Sequence, residues 1–120
     1  VGGAFGSAVR FQVSSWILHH TISWRFPAGT FTVNVLGCLI AGSLGGLIAK
    51  HSALNPDLRL LLITGVLGGF TTFSAFSAES LALLERGHWA LALTHTLAHV
   101  LGALVCAVLG VVLARALVGP

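Results

Sequence analysis

Nine consecutive residues hold most of the chemistry this chain could do: Gly68, Gly69, Phe70, Thr71, Thr72, Phe73, Ser74, Ala75 and Phe76. Phe70, Phe73 and Phe76 recur at i, i+3 and i+6, roughly one face of a helix. A phenyl ring has a negative face and a positive edge. Ring edges turned into a dry passage offer weak positive potential without a formal charge, which suits an anion that must pass and not stick. Thr71, Thr72, Ser74 and Ser77 interleave with the rings. Their hydroxyls donate to anions and accept from neighbours. Packing against lipid or a neighbouring helix is the plainer account of phenylalanines standing alone; the interleaved hydroxyls set this stretch apart.

The glycine pair predicts a break in a helix at Gly68. Backbone groups freed at membrane depth are tolerated only where they are buried in protein or line a wet cavity. Freed carbonyls bind cations, and two symmetry-related breaks would suit Na⁺. Water or side-chain hydrogen bonds would satisfy the same groups. A second polar residue, Asn34, falls about seven residues past Pro27, roughly 10 Å into a membrane at 1.5 Å per residue. Its amide has two hydrogens to give to an anion or to an interhelical partner. Arg10 and Glu79 are the charges well inside apolar stretches, fit for a vestibule or a pairing role. His95 and His99 stand at i and i+4, a spacing that permits metal ligation, but no carboxylate or third ligand accompanies them in sequence. No Ser-His-Asp set is credible, because the one aspartate, Asp57, lies in a loop, and the expectation is of a protein that is not an enzyme.

The elements that must position these residues follow from composition. The 120 residues are 56% hydrophobic and 8% charged, against about 25% charged in soluble domains. A net charge of +3 scattered along such a chain is no nucleic-acid footprint. Four apolar segments, about 3–19, 28–49, 58–84 and 89–113, approach or exceed the roughly 20 residues that span a bilayer. The expected fold is therefore an all-α membrane protein, one domain over residues 1–120 with four transmembrane helices and a break in the third. Asn55-Pro56-Asp57 is a turn signal with Asp57 as N-cap. Trp16, Trp24 and Trp89 fall near segment ends, as interfacial tryptophans do. Gly37, Ala41 and Gly45 form a small-residue face on the second helix, and Gly102, Cys106 and Gly110 a sparser one on the fourth. Cys38 and Cys106 read as small packing residues.

With an even number of spans, Lys50, Arg59 and Arg115 share one side and Arg25 and Arg86 the other. Three against two is too small an imbalance to fix orientation. Insertion both ways and an antiparallel homodimer follow as expectations; further basic residues ahead of Val1 are the other source of a bias.

Over essentially its whole length the chain resembles the Fluc (CrcB) fluoride channels. Three stretches carry the resemblance: residues 2–11 (GGAFGSAVRF), residues 29–37 (GTFTVNVLG), and Gly68 to Phe76 with Ser77 and Glu79 following. The resemblance implies an antiparallel, dual-topology dimer with two pores, in the plasma membrane of a bacterial cell. It implies passive export of F⁻, which lowers cytoplasmic fluoride. It places Phe73 and Phe76 as a pore-lining pair, Asn34 as the pore asparagine, and Ser74 with Thr72 on a polar track. Arg10 and Glu79 match vestibule positions, and the carbonyls of Gly68 and Thr71 match the ligands of a structural Na⁺ at the dimer interface. One departure is Ala75, where the family motif has threonine. The polar register of the fourth helix is open among Thr94, His95, Thr96 and His99. Two other readings compete: a small dual-topology multidrug exporter, disfavoured because the first helix has Arg10 and no carboxylate, and a non-transporting membrane subunit.

Overall fold

A computed structural model describes residues 1–24, 26–51 and 55–119, apart from the side chains of Lys50 and His51. Its elements are α1 (Gly2–His20), α2 (Ala28–His51), α3 (Pro56–Arg59), a π-helical stretch (Leu60–Leu67), α4 (Gly68–Phe70), α5 (Phe73–Glu85) and α6 (Trp89–Val118). Among the described residues there is no strand. Three stretches are long and apolar enough to cross a membrane: Ala28–Ala49, Pro56–Glu85 and Trp89–Val118. The 19-residue α1, with Arg10 and Gln12 inside it, is not among them. The fold is thus that of a helical membrane protein. Large apolar side chains stand outward along it, including Leu93, Leu97, Leu101 and Val108 of α6. Trp16, Trp24 and Trp89 are exposed near helix ends.

Local chemistry sets the boundaries. Asn55, not Asp57, caps α3: its side-chain oxygen accepts from the Leu58 N–H at 2.7 Å, and Pro56 occupies the first turn, where a missing N–H costs nothing. Asp57 lies one residue inside the helix, where it faces the positive end of the helix dipole. Gly87, at φ +79°, ends α5; the His88 N–H reaches back to the Leu83 carbonyl at 2.8 Å, closing a Schellman turn. Arg25 and the Lys50 side chain, on which the expected charge balance depends, lie outside the described residues.

Two glycine seams hold the bundle. Along the first, α1 meets the third run. A β-carbon on Gly6 would strike the Val66 carbonyl oxygen, and one on Gly69 the Gly3 carbonyl oxygen. Along the second, α2 lies on α6: Gly42 is pressed to the Ala107 carbonyl and Gly110 to the Leu39 carbonyl. Such close approach gives helices the van der Waals contact that association in lipid depends on. The contact between α2 and α6 runs beside the small-residue face expected on α2. Gly42 and Gly46 make the seam with α6, whereas Gly37 makes room for the Thr71 methyl and Gly45 has open space beside it.

The third run does break, but not at the glycine pair. Gly68 and Gly69 are helical, and the chain becomes extended at Thr71 (φ −87°, ψ 159°) and Thr72 (φ −151°, ψ 113°). Close contact between Gly69 and Gly3 accounts for the glycine there without any unwinding. The break also divides the three phenylalanines: Phe70 is buried before it, and only Phe73 and Phe76 share a helix.

Candidate ion pathway

Extended backbone in the middle of an apolar helix must place its polar groups somewhere. At Thr72 they go to Asn34. The Thr72 N–H donates to Asn34 Oδ1 at 2.7 Å, and Asn34 Nδ2 donates to the Thr72 carbonyl at 3.0 Å. Asn34 is buried, so this reciprocal pair replaces the helical ladder across the gap. One of its two N–H groups is therefore committed to the fold, leaving a single donor where sequence allows two.

Thr72 also starts the next helix. Its hydroxyl accepts from the Ala75 N–H at 3.2 Å as an N-cap and lies 3.3 Å from the Ser74 hydroxyl. The remaining N–H groups of the first turn of α5 have no intrahelical partner and sum to a partial positive charge. Thr71 turns its hydroxyl back to the Leu67 carbonyl at 3.0 Å, so that hydroxyl is spent on the backbone.

Beside the break lies a groove of about 400 Å³ lined by Asn34, Thr71, Thr72, Phe73, Phe76 and His99, among others. The Phe73 and Phe76 rings are 5.5 Å apart and tilted by 49°. Phe73 is 78% exposed in the single chain, so one side of the groove is open. Five of the nine residues picked out by sequence meet here, and Ser74 adjoins them through Thr72.

Glu79 stands on the other side of Phe76. It accepts from the Thr30 hydroxyl at 2.5 Å, and its second oxygen is 3.8 Å from His95 Nε2. That distance admits electrostatic attraction but is too long for a hydrogen bond. The His95 and His99 rings stack on Phe76 with centroids 5.0 and 4.5 Å away, and Phe26 and Phe31 pack edge-on to His95 and His99 respectively. The open register of the fourth helix is thereby fixed: His95 and His99 face inward, while the Thr94 and Thr96 hydroxyls bond their own helix at Ala90 and Ala92. Among the described residues no group of three metal-ligating side chains exists.

Two expected site residues stay apart from the groove. Gly68 is exposed one turn before it, and the Thr72 N–H that would close a helical turn on the Gly68 carbonyl goes to Asn34 instead. Arg10 is half-buried on α1 and forms no salt bridge among the described residues. Sequence reasoning missed Thr30, which holds Glu79, and Ser80, whose buried hydroxyl has no partner. A Ser one residue after the lone intramembrane carboxylate is a signal only once the helix is known to face α2 and α6.

An interrupted helix clamped beside an aromatic and hydroxyl-lined groove is an arrangement that membrane channels and carriers use. Residues 1–111 match the family described as CrcB-like protein, Camphor Resistance (CrcB). This chain belongs to that family. It is 48% identical over 110 residues to the fluoride-specific ion channel FluC of Methylobacillus flagellatus, covering 92% of this chain and 86% of that one. It is 45% identical over 117 residues to the FluC of Rhizobium leguminosarum bv. trifolii, with 98% and 93% covered. The FluC of Chloroflexus aurantiacus is 41% identical over 115 residues, with 96% and 90% covered.

Proposed function

We propose that this chain is a fluoride channel that lets F⁻ leave the cytoplasm down its electrochemical gradient. The observation that carries the reading is near-full-length similarity to proteins named fluoride-specific ion channels. The groove supports it in physical terms. An anion entering beside α5 meets the ring edges of Phe73 and Phe76, the hydroxyls of Thr72 and Ser74, the spare N–H of Asn34 and the first-turn amides of α5. Each is a weak donor, and none carries a full charge. Conduction needs binding strong enough to enter and weak enough to leave. Arg10 and Glu79 act at the vestibules, the former attracting anions and the latter lying one ring behind the groove.

The working unit is an antiparallel homodimer of four-helix chains, α1 being the span of lowest hydropathy, in the plasma membrane. Exposure of Phe73 supports this: an aromatic ring standing free at the middle of a span finds its cover on a second copy. The Gly68 carbonyl, freed from its helical partner, and Thr71 in extended backbone fit a shared Na⁺ between two such chains. Bound there, the ion would neutralise converging carbonyl dipoles. The second reading, a multidrug exporter, lacks its carboxylate in α1, where Arg10 is the sole charge. The test is fluoride efflux from liposomes holding the purified chain, read with a fluoride electrode; a rate no higher than protein-free liposomes ends the channel reading.

A further inference from the structure

Among the described residues, five buried polar atoms have no hydrogen-bond partner: Glu79 Oε2, Ser80 Oγ, His95 Nδ1 and Nε2, and His99 Nε2. Buried polar groups are costly unless paired, so a cluster of them has a function or a hidden partner. His95 is fully buried, at 0% exposure, and its Nε2 is aimed at Glu79 Oε2 from 3.8 Å. The other Glu79 oxygen already accepts from Thr30. Thr30 on α2, Glu79 on α5 and His95 on α6 thus form one polar line through three helices. The Phe76 ring, 5.0 Å from the His95 ring, and the His99 ring, 4.5 Å from it, stand between this line and the groove.

Resting on the channel reading above, we propose that His95 is the residue that keeps Glu79 protonated and uncharged. An ionised carboxylate beside an anion path repels the anion. A single negative charge about 10 Å away lowers anion occupancy roughly tenfold at an effective dielectric constant of about 20. A neutral imidazole whose Nε2 serves as the acceptor for a proton on Oε2 keeps that proton on the carboxyl group, so neither side chain is charged. The pair is then neutral as a whole, and F⁻ passes Phe76 without meeting net negative charge. His99, the other imidazole of the cluster, is not placed to do the same, because its Nδ1 lies 3.3 Å from the His95 carbonyl, within its own helix.

The test compares four proteins by fluoride flux in proteoliposomes, per assembled dimer. His95→Phe keeps an aromatic ring against Phe26 and Phe76 and removes the nitrogen facing Glu79; flux should fall roughly tenfold or more. Adding Glu79→Gln to it removes the charge while leaving an oxygen for Thr30, and flux should recover most of the loss. His95→Gln retains an acceptor for the carboxyl proton and should stay within about threefold of the wild type, which keeps the test alive if the phenylalanine variant does not assemble. A merely structural role for His95 predicts no recovery in the double variant. Failure of that recovery, unchanged flux in His95→Phe, or lost flux in assembled His95→Gln would each overturn the proposal. Wild-type liposomes without fluoride flux would instead overturn the channel reading itself.

Discussion

Asn34 and Thr72, 38 residues apart in sequence, close a two-way hydrogen-bonded pair in which one side-chain amide replaces the two backbone partners that a helix would have supplied. The consequence is a break whose freed backbone groups are paired. Thr72 keeps its extended backbone because both its polar groups are satisfied there, and α5 begins at Phe73 with the Thr72 hydroxyl as its cap.

Replacing that amide therefore damages both fold and path. Asn34→Ala leaves the part-buried N–H and C=O of Thr72 unpaired, at up to about 1–3 kcal/mol each. Asn34→Asp retains the acceptor for the Thr72 N–H, loses the donor, and sets a carboxylate in an anion path. We expect Asn34→Ala to lower the melting temperature in detergent, and Asn34→Asp to abolish fluoride flux. An unshifted melting curve for the alanine variant would mean that the clamp contributes nothing.

The ring edges make a separate prediction. Phe76→Ile keeps apolar bulk and removes the quadrupole. Fluoride flux should fall at least roughly tenfold, since edge contacts of about 0.5–1.5 kcal/mol and the stack on His95 and His99 go together. Size-exclusion chromatography should show the same assembly as the wild type. Full-rate flux would place the path away from this groove.

Glycine substitutions should separate sharply along α2. A methyl at Gly42 meets the Ala107 carbonyl, whereas one at Gly45 meets nothing in the single chain. Gly42→Ala should destabilise by about 1–3 kcal/mol, as overpacking does. Gly45→Ala should leave the fold of the chain intact. If Gly45→Ala instead disrupts assembly alone, Gly45 faces the second copy.

Much of the fold was legible in the sequence, because apolar run length and turn chemistry are local. The run predicted over 28–49 became Ala28–His51, and that over 89–113 became Trp89–Val118. What eluded it depends on contact between distant segments. Gly68 and Gly69 look like a break to a reader of one strand of chain, but Gly3 packing on Gly69 keeps them helical. The break falls at Thr71 and Thr72, where Asn34 pairs with both backbone groups of Thr72. The same holds for the histidines: spacing puts His95 and His99 on one face, and only the positions of Phe76 and Glu79 show that it is the inner one.

Orientation can be read directly. If single chains insert both ways, a tag in the loop between α5 and α6 will be accessible from both sides of the membrane. Two lysines added at the C-terminus should bias insertion to one side. Functional yield should then drop, and co-expression of a chain biased the opposite way should restore it. Labelling of the unmodified protein from one side alone would contradict the antiparallel dimer.

The central claim is a pathway of weak, uncharged donors, selective for the small anion F⁻. It is tested most directly by measuring fluoride and chloride efflux from the same proteoliposomes under the same gradient. The account predicts fast fluoride release, with chloride indistinguishable from protein-free liposomes, because edges and hydroxyls compensate the lost hydration of one ion at close range. Comparable rates for the two anions would contradict it.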